Sequence, residues 1–180
     1  MNRRRALKAT AAAAAALLLS GHTPYGQWTV YRRKHLLIGS HRGDPETYDL
    51  AKRVEAVLAE HLPAASARVA RAPHAGRLAS LLGTEQMEVA ILDAADAAAM
   101  RDGSGAFAPY GPIALSVVAA VGNRLLVARA DFPDRHAWLL TAALAGTDLA
   151  PAAARPAHSS LPWHPGSVAF LEGRSEPGDG

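Results

Sequence analysis

The stretch Leu36-Leu37-Ile38-Gly39-Ser40-His41-Arg42-Gly43-Asp44-Pro45 decides the fold of this chain. It opens with a short apolar run that ends at a glycine, a pattern typical of a buried strand in an α/β sheet. Asp44 is a residue type that caps helices, and Pro45 suits the first helical position. Apolar residues then recur at helical spacing as far as Leu58. The stretch therefore predicts a strand, a loop and a helix in succession.

The same unit recurs along the chain. Strands are predicted at 68–70 and 89–92, and helices follow them at 75–82 and 94–100. The order βαβαβα is typical of parallel strands with right-handed crossovers and a ligand crevice at the carboxyl ends of the strands. Residues 113–121 and 125–128 then indicate an antiparallel pair, and 134–145 a helix. We expect an α/β fold with a mainly parallel sheet flanked by helices.

Three segments of the chain carry a family resemblance. They are Leu37-Ile38-Gly39-Ser40 with His41 to Glu46, Thr47-Tyr48 and Leu50-Ala51; Leu78, Leu81, Gly83, Glu88-Val89-Ala90-Ile91 and Asp93; and Leu161-Pro162-Trp163-His164-Pro165-Gly166-Ser167. In this order they resemble the TAXI-type solute receptors of the tripartite ATP-independent periplasmic (TRAP) transporters. Those receptors begin with an apolar strand, a glycine-rich turn and a helix carrying a tyrosine, and their last helix opens at a His-Pro-Gly-Ala stretch.

The resemblance implies a single periplasmic-binding-protein-like lobe. Family members are larger and form two lobes that close on a solute, whereas this chain passes from Val118 to Asp131 without room for a second lobe. The implied function is that of a periplasmic solute-binding component for a small organic anion, with integral membrane TRAP permease subunits as partners. The alternative is a ligand-free interaction module that binds another periplasmic protein through the surface of the missing lobe.

The loop from Gly39 to Tyr48 is the first candidate site. It lies between the carboxyl end of a strand and the N-terminus of a helix, where free backbone N–H groups and the helix dipole favour an anion. Arg42 adds a charge for a carboxylate, and His41 adds a titratable donor. The alternative is that the Asp44 carboxylate already takes those N–H groups as an N-cap. The candidate ligand-binding residues are Gly39, Ser40, His41, Arg42, Thr47, Tyr48, Asp93 and His164.

Asp93 and His164 each have a structural alternative. Asp93 follows a strand end, where it either meets a ligand or caps the helix that begins at Ala94. His164 either lies at the rim of the crevice or belongs to a helix start, in which Pro165 takes the first position and Gly166 allows close approach. The residue types favour the structural role at both positions.

The residues offer little support for catalysis. The 8 histidines are spread singly, without partners at i, i+4 and without cysteines, so no metal site is expected. Gly103-Ser104-Gly105 does not follow a strand, as a nucleophile elbow must. Neither a Walker motif nor a dinucleotide glycine pattern occurs, and no cofactor is expected. A small exported hydrolase is the least supported of the three functions.

The first 21 residues predict export. Asn2-Arg3-Arg4-Arg5-Ala6-Leu7-Lys8 leads into the apolar run Ala9 to Leu19, the layout of a secretory signal that resembles the twin-arginine type. That run is shorter than the ~20 residues that span a bilayer core. We expect a periplasmic protein. An uncleaved signal is the alternative, with Tyr25, Trp28 and Tyr31 in an interfacial tether at the inner membrane.

Charge and cysteine content exclude other classes. Four basic residues of the leader account for more than the net charge of +3, and without them the formal charge is −1. A nucleic-acid binder needs a sustained basic face in the mature domain, so no nucleic-acid partner is expected. With 0 cysteines there is no disulfide framework, and stability must come from a packed core.

The predicted organisation has six parts. They are an export signal or signal anchor at 1–21, a linker or tether at 22–35, the α/β lobe at 36–146, a Pro/Ala-rich linker at 147–160, a returning C-terminal helix at 161–173 and a disordered tail at 174–180.

Overall fold

A computed structural model of the protein describes residues 35–149 and 161–178. Residues 1–34 and 150–160 lie outside the described residues, and with them the export signal at 1–21, all but the last residue of the linker or tether at 22–35 and most of the Pro/Ala-rich linker at 147–160. These three assignments stay predictions.

The described ranges contain five strands and five α-helices. In chain order they are β1 (Leu37–His41), α1 (Pro45–His61), β2 (Arg68–Ala72), α2 (Ala75–Gly83), β3 (Val89–Asp93), α3 (Ala94–Asp102), β4 (Leu115–Val121), β5 (Arg124–Arg129), α4 (Asp134–Ala145) and α5 (Pro165–Leu171). Short 3-10 helices lie at Pro63–Ala65 and Gly105–Tyr110. The predicted alternation of strands and helices is confirmed, and α4 has the predicted bounds.

The sheet is open, with the strand order β2-β1-β3-β5-β4. β1 pairs in parallel with β2 and β3, as the crossover helices require. β5 pairs antiparallel with both β3 and β4. The prediction of a mainly parallel sheet is therefore wrong in part, because two of the four pairings are antiparallel and the sheet is mixed.

The β4–β5 hairpin explains this correction. Gly122, with φ of +62°, and Asn123 join the two strands in a tight turn. A positive φ is a backbone conformation that glycine adopts without steric cost. The returning β5 inserts between β4 and β3, and its first residues consequently lie at the carboxyl ends of its neighbours.

Apolar side chains fill both faces of the sheet. On one face, Val117 of β4 belongs to a cluster with Leu78 of α2 and Met100 of α3. The other, with Ile38 and Val118, packs against α1 and α4. The alternation within β4 follows from the two-residue period of a strand. The fold is thus a sheet between two layers of helices, as expected of an α/β domain.

The C-terminal segment joins the outer edge at β4. The Val117 N–H donates to Pro162 O at 2.8 Å, and the His164 N–H donates to Val117 O at 2.8 Å. α5 then lies so close to α4 that a Cβ on Gly166 would overlap the backbone of Asp134. Beyond the helix, Arg174 O accepts a hydrogen bond from Trp138 Nε1 at 3.2 Å. No helix within the described ranges combines the length and apolarity needed to cross a membrane.

Candidate functional site

The strand order places a crevice at the carboxyl ends of β1 and β3. From β1 the chain crosses to β2 on one side, and from β2 it crosses back to β3 on the other. The loops after β1 and β3 therefore diverge to opposite faces of the sheet. Open α/β sheets bind ligands at such a switch point, between the two diverging loops. The loop after β1 begins at Arg42, and Asp93 ends β3.

Buried polar atoms of Ser40, His41 and Arg124 at this edge lack hydrogen-bond partners among the described residues, and in Arg124 the atom is Nε. Ser40 is fully buried and His41 is 5% exposed. Within the described part of the chain, the Ser40 hydroxyl and both ring nitrogens of His41 have no partner. Buried polar groups of folded proteins are usually paired, so such groups call for a bound molecule or water.

Asp96, on the first turn of α3, is the acidic neighbour of His41. Its Oδ2 lies 3.9 Å from His41 Nε2, which is too far for a hydrogen bond. The Asp96 side chain is 41% exposed and borders solvent. Burial raises the pKa of its carboxyl, and Asp93 and Asp44 act in the same direction, although His41 and Arg124 oppose them. The groups that act on Asp96 thus belong to one site.

Arg124, the first residue of β5, binds three other carboxylates. Its Nη1 lies 2.7 Å from Asp93 Oδ2, and its Nη2 lies 3.1 Å from Asp44 Oδ2 and 2.9 Å from Glu46 Oε2. The three carboxylates come from helix starts on both faces of the sheet. Arg124 therefore ties α1 and α3 together across the crevice.

The two helix N-termini at this edge are already capped. Asp44 Oδ1 accepts from the Glu46 N–H at 3.1 Å, and Asp93 Oδ1 accepts from the Ala95 N–H at 2.8 Å. These are the capping roles that the sequence offers as alternatives to ligand binding. Each cap takes one N–H group and brings its own negative charge, which makes both helix ends less favourable for an anion.

The other residues predicted in the first loop have separate surroundings. Gly39 lies in the core, where a Cβ would come within 2.6 Å of Leu78 Cδ1. Thr47 is buried and donates to Asp44 O at 2.7 Å. Tyr48 carries the Arg71 guanidinium 4.4 Å from its ring centroid. Arg42 is exposed, and its backbone N–H donates to Ala72 O.

His164 is not brought to this crevice. It is 1% exposed and lies beside Phe132, which follows the end of β5 at the amino ends of the neighbouring strands. Its Nδ1 accepts from the Gly166 N–H at 3.3 Å, and its Nε2 lies 2.9 Å from Phe132 O. Nδ1 is then the acceptor and Nε2–H the donor of a neutral ring. Burial lowers the pKa of His164, against the opposing effects of Phe132 O and Asp134. This geometry fits the structural role.

Two residues of the crevice were missed from the sequence, Asp96 and Arg124. Asp96 follows Asp93 by three residues, which is about one helical turn, and this spacing was the available signal. For Arg124, the sequence feature that could have predicted its place in the site is the turn that precedes it. Once a hairpin is assumed, the first residue of the returning strand must lie beside the carboxyl end of its partner, and Arg124 does pair with Asp93.

A cavity of about 530 Å³ lies at the opposite end of the strands. Leu36, Leu62 and Leu140 contribute to its apolar surface, and Glu88 and His136 are among the polar residues that line it. Its size is within the range of small-molecule pockets. The described side chains that line it are paired or solvent-facing, in contrast to Ser40 and His41, and nothing there indicates a ligand class. In the described ranges no group of three or more metal-ligating side chains occurs.

Neither a protein-family model nor a curated protein matches the chain.

Proposed function

We propose that this protein is a solute-binding lobe related to the TAXI receptors of TRAP transporters, exported to the periplasm, and that it holds a small polar solute at the carboxyl ends of β1 and β3. The observation that carries the proposal is His41 at the switch point of the sheet, a buried side chain whose two ring nitrogens have no hydrogen-bond partner among the described residues. A bound molecule supplies the hydrogen bonds that the fold leaves unmade.

The tight turn at Gly122-Asn123 supports a site that encloses the solute from one side only. It joins β4 directly to β5, between Val118 and Asp131, where the two-lobed relatives continue into their second lobe. One lobe encloses less of a ligand than two closing lobes do. We therefore expect weak binding, with a Kd on the order of micromolar or higher, and integral membrane TRAP permease subunits as the partners that receive the solute.

The interaction-module alternative has less support. It requires a broad apolar surface, because soluble monomers rarely expose apolar patches of more than a few hundred Å². Among the described residues, Tyr110 at 39% is the exposed large apolar side chain. An isolated exposed ring is ordinary for a protein surface.

The hydrolase alternative also has less support at this site. Ser40, His41 and Asp96 are the residue types of a catalytic triad. However, adjacent residues of a strand point to opposite faces of the sheet. The Ser40 hydroxyl and the His41 ring therefore cannot form the hydrogen bond that joins a nucleophile to its base.

The test is a thermal-shift and calorimetric screen of the full chain. Probes of three charge classes are compared: succinate and glutarate, the amino acids, and small aliphatic amines. A ligand at 100 times its Kd stabilises the fold by about 2.7 kcal/mol. We expect a shift in the wild type that is lost in His41→Leu and kept in His61→Leu, an exposed histidine at the end of α1.

The same screen can reject the proposal. If no probe shifts the melting temperature, the receptor lobe is rejected. Affinity capture of one specific protein from periplasmic and membrane fractions would then support the interaction module.

A further inference from the structure

The crevice carries an excess of negative charge. Four carboxylates lie at this edge, on Asp44, Glu46, Asp93 and Asp96. Arg124 pairs with the first three, each within 3.1 Å of its guanidinium. The fourth, on Asp96, is not among the carboxylates that Arg124 binds. In the described part of the chain, Asp96 Oδ2 lies 3.9 Å from His41 Nε2. One guanidinium does not neutralise four carboxylates, and Asp96 is the one of the four that has no ion pair with Arg124.

His41 provides a second, independent indication of a ligand. Its side chain is 7% exposed, both ring nitrogens lack hydrogen-bond partners, and Nε2 faces Asp96. The gap of 3.9 Å between Nε2 and Asp96 Oδ2 is too long for a direct hydrogen bond. One donor group in front of both atoms lies within hydrogen-bond distance of each, because N–H···O and N–H···N contacts span about 2.9 Å.

We propose that the solute of this site carries a primary ammonium group, which donates one N–H to Asp96 Oδ2 and another to Nε2 of His41. This inference rests on the proposed solute-binding function and names the charge class of the solute. An ammonium group has three donors and no acceptor, which matches a carboxylate beside a neutral imidazole nitrogen. A carboxylate in the same place meets Asp96 as a like charge, with the helix N-termini already capped by Asp44 and Asp93.

The proposal changes the ligand class that the loop sequence predicts. Arg42 and a free helix N-terminus favour an organic anion. In the structure Arg42 is exposed, and Asp44 takes the N–H of Glu46. The electrostatic balance at the crevice is therefore set by Asp96 and not by Arg42.

The experiment uses isothermal calorimetry of the full chain with three matched probes. These are 4-aminobutan-1-ol, its N,N,N-trimethyl derivative and 1,4-butanediol. The first has a charge and donors, the second a charge without N–H, and the third no charge. We expect 4-aminobutan-1-ol to bind and the other two to bind at least 10-fold more weakly, because a hydrogen bond to a charged group contributes a factor of about 10 to 150.

Two Asp→Asn variants assign the effect to the site. Asp96→Asn keeps the size of the side chain and removes its charge. It should weaken the binding of 4-aminobutan-1-ol by about 10-fold to 150-fold. Asp102→Asn, at the other end of the same helix, is the control and should leave affinity unchanged. The wild-type probe comparison stands even if one variant does not fold.

The outcomes separate the two proposals. Binding of succinate or glutarate that strengthens in Asp96→Asn overturns the ammonium inference and leaves the receptor lobe standing. Equal binding of the amine and the diol also overturns it. If no probe of any charge class binds, the solute-binding function itself fails.

Discussion

His41 and His164 are both buried histidines, but their ring nitrogens have different surroundings. Both nitrogens of His164 have backbone partners, the Gly166 N–H and Phe132 O. Neither nitrogen of His41 has one in the described part of the chain. His164 joins α5 to the end of β5, and His41 lies at the switch point of the sheet. The comparison separates a histidine whose ring is hydrogen-bonded to the backbone from one whose ring nitrogens have no partner among the described residues.

The difference teaches that burial alone does not identify a functional residue. Both rings lost water on folding, but at His164 the hydrogen bonds were regained within the chain. At His41 they were not, and an unpaired buried polar group costs free energy that a ligand can recover. The same substitution at the two positions should therefore have unequal effects on stability and on binding.

The largest effect is expected from His164→Leu. An apolar side chain of similar volume leaves Phe132 O and the Gly166 N–H without partners, and each unsatisfied buried group costs about 1–3 kcal/mol. We expect the free energy of unfolding, measured in urea, to fall by about 2–4 kcal/mol. The exposed control His61→Leu should change it by less than about 0.5 kcal/mol. A loss at His164 no larger than that of the control would remove its structural role.

A smaller change in the free energy of unfolding is expected when the pH is lowered. The pKa of His164 is lowered in the folded state from 6.5, chiefly by burial. The unfolded chain therefore binds the proton first as the pH falls. The contribution of His164 is complete above its unfolded pKa and is lost as the pH falls below about 6.5. Urea unfolding between pH 5 and 8 should show a decline at the acidic side that is shallower in His164→Leu. Parallel pH profiles for the two proteins would contradict this sign.

The smallest change in stability is expected from His41→Leu. Since the ring makes no hydrogen bond with the described residues, its replacement leaves no backbone group unpaired. The free energy of unfolding should stay within about 0.5 kcal/mol of the wild type or rise slightly, as is common where a site is built at the expense of stability. Calorimetry with 4-aminobutan-1-ol on the same sample should nevertheless show no binding. A destabilisation as large as that of His164→Leu would make His41 a structural residue.

Much of the fold could be predicted because its signals are local. The apolar run before Gly39 became β1, and the pair Asp44-Pro45 became the cap and first residue of α1. The antiparallel pair predicted at 113–121 and 125–128 is confirmed as β4 and β5. The mixed character of the sheet could not be predicted in the same way, since the choice of β3 as the second neighbour of β5 depends on contacts distant in sequence.

The loop after β1 stays a predicted site, and the sequence indicates it because a polar segment lies between a strand and a capped helix. Arg42, its most prominent charge, is exposed, whereas Arg124 makes the ion pairs. No spacing in the sequence links Arg124 to Asp44, which lies 80 residues away. His164 shows the reverse case, because a residue near a predicted helix start was placed by the fold at the opposite end of the strands.

The sequence by itself determined the strands, the helices and their caps, because apolar periodicity and the preferences of Asp, Pro and Gly act within a few residues. The tertiary structure alone decided which polar side chains share the crevice. The partners of a charged group are chosen by distance in space, and the reversed direction of β5 places Arg124 among carboxylates from two helix starts. Whether His41 or His164 is paired was settled in the same way, since a buried ring forms hydrogen bonds only with groups that packing brings within about 3 Å.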